Sequence, residues 1–312
     1  MDTVRLGRTG LDVSVVGLGC GGHSRLGMTA GRDEAHAARV VEAALELGID
    51  FIDTARAYGT ESAVGRAIRG KRDRVVLSTK ALPVGATGPL GAAELRDSLH
   101  RSLERLGTDY VDIFHLHGVL AEHYGHCVDV LLPELVRAKE AGKIRFVGIT
   151  ERFGTDTAHA MLRLALPDDL FDVVMVGHNL INPSARESVF PLTQRHDVGT
   201  LIMFAVRRAL TNVALARDVV EKLIVDGAVD ARRIDRNDPL GFVTKHPHVK
   251  SLVEAAYRFC RYEPGAHVIL TGTGSVEHLR ENVDSILAPP LAHELTRELG
   301  AIFGSVDSVS GD

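Results

Sequence analysis

Eight short apolar runs recur along the chain, and helix-like segments separate most of them. The runs predict strands at about 13–19, 48–54, 74–80, 110–117, 144–150, 171–179, 199–205 and 267–274. They are almost continuously apolar, as expected for parallel strands that are buried on both faces. The intervening segments carry apolar residues three or four positions apart, which is typical of amphipathic helices. Eight strand-then-helix units predict an α/β fold, a (β/α)8 TIM barrel, with an open doubly wound sheet as the alternative.

Three further segments complete the predicted architecture. The first, VRLGRTGLDVSVVG, has a turn signal between two alternating runs and predicts an N-terminal β-hairpin that closes the barrel floor. Residues 118–130 follow the fourth strand, and residues 207–262 predict a helical insertion between strands 7 and 8. Loops that follow barrel strands form the active-site rim, so both should lie on the functional side. We expect one barrel domain over residues 1–312.

Composition excludes several classes of function. The net charge is −5 and there is no basic run, so nucleic acid is not an expected partner. No apolar stretch approaches the roughly 18 residues of a membrane helix, and the start lacks the apolar core of a signal peptide. The three cysteines form neither a CxxC pair nor a zinc pattern. We therefore expect a cytoplasmic protein without a membrane partner; whether it forms a homo-oligomer stays open.

Four polar residues lie at or just after the ends of three successive predicted strands. Asp53, Lys80 and His117 end these strands, and Tyr58 lies in the loop after the first. Adjacent parallel strands lie about 4.8 Å apart, so these side chains can converge. A Tyr, a Lys, a carboxylate and a His suit proton donation by the phenol to a carbonyl oxygen while a bound nucleotide supplies hydride. The ammonium is expected to lower the phenol pKa, and Asp53 offsets the cost of burying it.

Each of these residues alone has an ordinary structural interpretation, such as a cap, a core-rim ring or a solvated cation. The HLH pattern of His115 and His117 also raises a metal-dependent barrel hydrolase as an alternative. That chemistry needs further ligands at other strand ends, where His178 is available but a terminal Asp on strand 8 is not. We predict no metal site, because the combination of four residue types favours proton transfer.

The sequence resembles the aldo-keto reductase superfamily almost end to end. The resemblance rests on VRLGRTGLDVSVVGLGCGG, GIDFIDTARAYG, LSTK, LGTDYVDIFHLH, AGKIRFVGIT, FDVVMVGHN and GTGSVEHLRENV. It implies a (β/α)8 barrel that binds a nicotinamide cofactor and acts on a small-molecule carbonyl or alcohol substrate. It further implies that Tyr58 is the general acid, that Lys80 and Asp53 tune it, and that His117 orients the carbonyl.

The resemblance also implies a cofactor site. Its residues would be Gly19, Cys20, Gly21, Asp53, Thr150, Glu151, Met175, Phe204, Ala205, Val206, Arg207, Gly272, Thr273, Gly274, His278, Glu281 and Asn282. Phe204 would stack on the nicotinamide, residues 205–207 would bind the pyrophosphate, and backbone N–H groups at the last loop-to-helix junction would favour phosphate. Thr150 and Glu151 replace a usual Ser-Asn pair and Met175 a usual Gln, so anchoring of the carboxamide is weakened or rearranged.

Cofactor preference and substrate are less constrained. Gly272 and His278 replace a Lys and an Arg of most NADPH-preferring relatives, so we expect NADP(H) to be preferred only narrowly over NAD(H). The altered carboxamide positions favour, as an alternative, a cofactor-binding sensor or regulatory subunit with little turnover. Arg25, Arg56 and His123 come from loops after strands 1, 2 and 4. They would attract an anionic or polyhydroxylated substrate, or else be solvated surface groups.

Overall fold

The fold is a closed barrel of eight parallel strands, seen in a computed structural model that describes residues 1–86 and 88–312. In chain order the strands are β1 (Val16–Gly19), β2 (Phe51–Asp53), β3 (Val76–Ala81), β4 (Val111–Val119), β5 (Ile144–Glu151), β6 (Val173–Gly177), β7 (Gly199–Met203) and β8 (Val268–Thr271). Each strand pairs with the next, and β8 pairs with β1 through Ile269 and Val16. The predicted TIM barrel is confirmed, and the open sheet is excluded.

Helices follow the strands and surround the barrel. Their bounds are Glu34–Glu46, Glu61–Ala67, Ala92–Leu106, Ala121–His126, Leu132–Glu140, Ala160–Ala165, Ala185–Ser188, Phe190–Arg195, Val213–Val225, Gly241–Thr244, Leu252–Arg261, Val276–Leu287 and His293–Phe303. The helix Ala92–Leu106 shows why these segments are helical: it buries Leu95, Leu99 and Leu103, four residues apart. It ends at Gly107, whose φ of +63° suits a left-handed cap.

The N-terminal segment closes the floor of the barrel, as predicted. Strands Thr3–Arg5 and Asp12–Ser14 pair antiparallel, so the predicted strand 13–19 is divided between this hairpin and β1. Leu6 and Val13 are fully buried among side chains from the amino ends of the barrel strands, such as Phe51 and Val173. This plug excludes water from the floor, so the open end of the barrel is the end where the strands finish.

The two predicted insertions differ in outcome. Residues 118–130 are not a rim loop: β4 runs to Val119, a helix begins at Ala121, and a π-helical turn over Cys127–Leu131 joins it to Leu132–Glu140. Residues 207–262 form the predicted helical insertion between β7 and β8, and several of its side chains face the cavity described below. Within the described ranges, we find no helix with the length and apolar character to span a bilayer.

Candidate active site

A buried ion pair joins the carboxyl ends of β2 and β3. The Lys80 ammonium donates to Oδ1 and Oδ2 of Asp53, each at 2.6 Å, and to the carbonyl oxygen of Thr54 at 2.8 Å. Ser78 donates to Asp53 Oδ1 at 2.8 Å. Lys80 is fully buried and Asp53 nearly so. The carboxylate therefore fixes the position and the charge of the ammonium.

Tyr58 and His117 meet above this pair. The phenol oxygen lies 3.3 Å from His117 Nε2, and the Lys80 ammonium lies 5.1 Å from the Tyr58 ring centroid. The register of β4 with β5 shifts between Leu116 and Val119, an irregularity of the kind that redirects a side chain such as His117. Gly21 permits the position of Tyr58, because a Cβ there would lie 2.6 Å from the ring. The structure thus brings all four predicted catalytic residues together.

Burial sets the protonation states of these groups. Burial raises the pKa of Tyr58 above its usual value and outweighs the opposing effect of the Lys80 ammonium. Lys80 lowers the pKa of Tyr58 as expected, but burial raises that pKa by more. Burial, with the charges of Lys80 and Arg152, lowers the pKa of His117 to about 3, so its imidazole is neutral at neutral pH. Burial alone would lower the pKa of Lys80, but the Asp53 carboxylate outweighs it and raises that pKa.

A cavity of about 990 Å³ opens beside Tyr58 at the carboxyl ends of the strands. Thirteen of the predicted cofactor residues line it: Gly19, Gly21, Asp53, Met175, Phe204, Ala205, Val206, Arg207, Gly272, Thr273, His278, Glu281 and Asn282. The insertion adds lining residues that sequence reasoning missed, among them Arg208, Lys250 and Ser251. No short motif marked these three, because they reach the cavity only when the insertion folds over it.

Three other predicted cofactor residues have their polar or backbone groups engaged elsewhere. The Cys20 thiol is fully buried and lies 3.9 Å from the Leu18 carbonyl oxygen. The Thr150 hydroxyl accepts the N–H of Gly118 at 2.7 Å. Gly274 packs against the backbone of Gly27, which leaves no room for a side chain. These residues support the cavity from outside its lining.

Glu151, the fourth such residue, is turned away from the cavity into a buried pair with His159. Its Oε2 lies 2.9 Å from His159 Nδ1, and its Oε1 accepts the Gly177 N–H at 2.7 Å. The His159 ring stacks on Phe153, which in turn makes an edge contact with Phe204. Sequence reasoning missed His159 and Phe153, since a lone His and a lone Phe in a loop carry no signal. The Glu151 carboxylate therefore helps to fix His159, whose ring stacks on the Phe153 side chain that contacts Phe204.

The aromatic ring of Phe204 is held at the cavity edge from both sides. Its backbone is left-handed, with φ of +65°, which a bulky residue adopts only under constraint. The Arg207 guanidinium lies 3.8 Å from the ring centroid and is paired with Asp312 at 2.7 Å. The ring can therefore serve as a rigid platform for a flat ligand.

The HLH histidines do not assemble a metal centre in the described residues. His115 is fully buried, and neither of its ring nitrogens has a hydrogen-bond partner in 1–86 or 88–312. Burial lowers its pKa well below the usual value. His178 lies outside the cavity, stacked on Phe259 with centroids 5.5 Å apart. Across the described ranges, no group of three or more His, Cys, Asp or Glu side chains is arranged to hold a metal ion.

Comparisons with known proteins agree with this geometry. The model of the aldo/keto reductase family matches residues 17–302. The aldo-keto reductase YhdN of Bacillus subtilis is 30% identical over 319 residues, covering 90% of this chain and 88% of that protein. An uncharacterized oxidoreductase of the same organism, YqkF, is 26% identical and covers 95% of this chain and 94% of its own. The holo form of aldo-keto reductase AKR11C1 from Bacillus halodurans superimposes with a TM-score of 0.75 at 24% identity, covering 99% and 98% of the two chains.

Proposed function

The chain belongs to the aldo/keto reductase family, whose members are oxidoreductases, and from this premise we propose that it reduces an aldehyde or ketone to an alcohol with a nicotinamide cofactor. The observation that supports this most directly is the position of the Tyr58 hydroxyl. It lies 3.3 Å from His117 Nε2, beside the Lys80 ammonium and at the edge of the large cavity. A proton donor, a neutral hydrogen-bonding group and a fixed cation are therefore available at one point.

The cavity suits a nicotinamide dinucleotide. Its volume of about 990 Å³ is at the upper end of the usual range for small-molecule sites. The Phe204 platform lines it. The cations Arg208 and Lys250 and the Asp312-paired Arg207 line it as well, which suits a diphosphate. When bound, such a cofactor supplies the hydride. Phe204, residues 205–207 and the Gly272–Thr273 segment would hold it.

The preferred cofactor in our proposal is NADP(H), with NAD(H) also accepted. Gly272 and His278 offer no permanent cation to a 2′-phosphate, whereas Lys250 lines the same cavity and offers one. Glu281 and Asp284 are acids in the lining and oppose an extra phosphate. These opposed charges support a narrow preference.

The catalytic residues would divide the work as follows. Tyr58 is protonated at neutral pH and gives its proton to the carbonyl oxygen. With its proton on Nε2, neutral His117 donates to the same oxygen and orients the carbonyl. Lys80 stabilises the phenolate that forms as the proton leaves, and Asp53 holds Lys80 in place.

The test is the substitution Tyr58→Phe, which removes only the proton donor. We expect carbonyl reduction to fall by at least about a thousandfold, within the usual range for a general acid. The Kd for the reduced cofactor, measured by fluorescence titration, should stay unchanged. Tyr262→Phe is the matched control, because Tyr262 is exposed and does not line the cavity. Turnover by Tyr58→Phe at the wild-type level would refute the assignment.

A cofactor-binding sensor or regulatory subunit with little turnover is the second candidate. The observation that favours it is the Glu151 carboxylate, which is committed to His159 and Gly177 and not to the cavity. Met175 likewise offers no amide to a bound nicotinamide. This candidate predicts tight cofactor binding with no reduction of any member of a broad carbonyl panel.

A further inference from the structure

A second cavity, of about 620 Å³, opens beside Tyr58 and Gly59. Its lining is Gly22, His23, Arg25, Met28, Thr29, Tyr58 and Gly59. Gly22, His23 and Tyr58 also line the large cavity, so the two spaces share these three residues. A substrate whose carbonyl reaches Tyr58 from this side would place its remaining atoms among these residues.

The described lining of this second cavity carries positive charge and no negative charge. Arg25 lines it and makes no ion pair with any residue of the described ranges, and the lining given above contains no Asp or Glu. The nearby carboxylate of Asp312 lies 3.8 Å from His23 but is already paired with Arg207 at 2.7 Å. In a chain with a net charge of −5, an exposed guanidinium without an ion pair among the described residues, in a lining that has no acid, favours an anionic group.

The loop that carries Arg25 is strained and held in place. Arg25, Leu26 and Gly27 have φ of +44°, +57° and +91°, a left-handed backbone that bulky residues rarely adopt. Two contacts fix the loop: the Leu26 side chain is fully buried, and the backbone of Gly27 packs against Gly274. Strained backbone of this kind clusters at active sites and ligand-binding sites. The loop sets Arg25 in the wall of the cavity that Tyr58 also lines.

The other candidate rim cations differ in position. Arg56 donates to Ser98 on the outer helix Ala92–Leu106, so it is turned from the cavity. His123 lies in the helix after β4 and lines neither cavity. Arg152 follows β5, and its charge contributes to the lowered pKa of His117, so its field reaches the reacting point. Arg152 lines neither cavity, so Arg25 is the one of these four cations that lines a cavity beside Tyr58.

We propose that the substrate is a carbonyl compound that also carries a carboxylate, and that Arg25 binds this carboxylate. The proposal rests on the carbonyl reduction proposed above and names its substrate class. One guanidinium balances one carboxylate and can pair with it through two hydrogen bonds. Met28 and the Tyr58 ring supply apolar contact for the carbon atoms between the two functional groups.

The test compares two aldehydes that differ in one charge, 4-carboxybenzaldehyde and methyl 4-formylbenzoate. We expect wild-type kcat/KM for the acid to exceed that for the ester by about tenfold to a hundredfold, the usual contribution of a charged hydrogen bond. Arg25→Gln should bring this ratio to about one, and Arg25→Lys should restore part of it. Arg39→Gln is the matched control, because Arg39 is an exposed cation on the first helix and lines neither cavity. It should keep the wild-type ratio.

Binding of the two probes, measured by calorimetry with the reduced or oxidised cofactor present, separates this proposal from the proposed activity. If the wild-type protein binds the acid more tightly than the ester and Arg25→Gln abolishes this difference, the carboxylate site is supported. This holds even if neither aldehyde turns over, and in that case only the proposed reduction is refuted. Equal affinity of the wild-type protein for acid and ester overturns the substrate class, whatever the turnover. An acid preference that persists in Arg25→Gln overturns the role of Arg25.

Discussion

The substitution Lys80→Met gives the most direct test of the buried pair. Lys80 makes three contacts shorter than 3 Å, two to Asp53 and one to the Thr54 carbonyl. Methionine fills much the same volume, so the change removes the charge with little loss of packing. Asp53 would keep only the hydrogen bond from Ser78. Removing one partner of a buried pair costs about 3–5 kcal/mol, and we expect that loss in the free energy of unfolding.

Urea unfolding followed by circular dichroism measures this loss. The double variant Asp53→Asn, Lys80→Met removes the unpaired carboxylate and should recover about 2 kcal/mol relative to Lys80→Met. The pH dependence has a definite sign. Burial raises the folded-state pKa of Asp53 even with Lys80 present, and Lys80→Met removes the main opposing effect. The deficit of Lys80→Met is therefore largest at neutral pH and shrinks as the pH falls through the Asp53 pKa. A loss below about 1 kcal/mol, or no recovery in the double variant, would refute the reasoning.

Three further predictions concern packing, cofactor choice and pH. Gly148→Ala should lower the free energy of unfolding by about 1–3 kcal/mol in the same urea assay, because the added Cβ would overlap the His115 ring. Adding His115→Ala should relieve this loss. A Gly148→Ala variant with an unchanged free energy of unfolding would contradict this packing. Fluorescence titration should give a ratio of Kd values that favours NADPH over NADH by less than about a thousandfold, or 4 kcal/mol, since His278 offers no permanent cation. A larger ratio would contradict the proposal that the lining around His278 binds a 2′-phosphate weakly. The kcat for reduction should stay flat up to about pH 10, because the raised pKa of Tyr58 keeps the donor protonated, and a fall near pH 8 would show the opposite shift.

The barrel was predictable because its signals are local and repeated. Each strand is an apolar run of a few residues, and the helix Ala92–Leu106 buries leucines at regular spacing. The grouping of the candidate catalytic residues was predictable for a related reason. Parallel strands end at one face, so Asp53, Lys80 and His117 had to meet once the strands were assigned.

Other features depend on contacts between distant segments, and the sequence carried no signal for them. Glu151 could have faced the cavity; it is turned away because His159, eight residues later, and the Gly177 N–H in the next strand both bind its carboxylate. The left-handed backbone at Arg25 lies two residues before Gly27, which packs against the distant Gly274. Residues 118–130 were misjudged because the irregular end of β4 extends past His117 before the helix begins.

The protonation of Tyr58 shows how far residue types alone can mislead about mechanism. A lysine near a phenol suggests a lowered pKa, but the Lys80 ammonium is 2.6 Å from both oxygens of Asp53 and 5.1 Å from the ring centroid. Its charge is largely balanced, so burial prevails and the phenol stays protonated. In the proposed reaction the ammonium gains a new interaction only as negative charge forms on the phenol oxygen. Lys80 would then stabilise the transition state more than the bound substrate, and a change at this position would alter kcat more than KM.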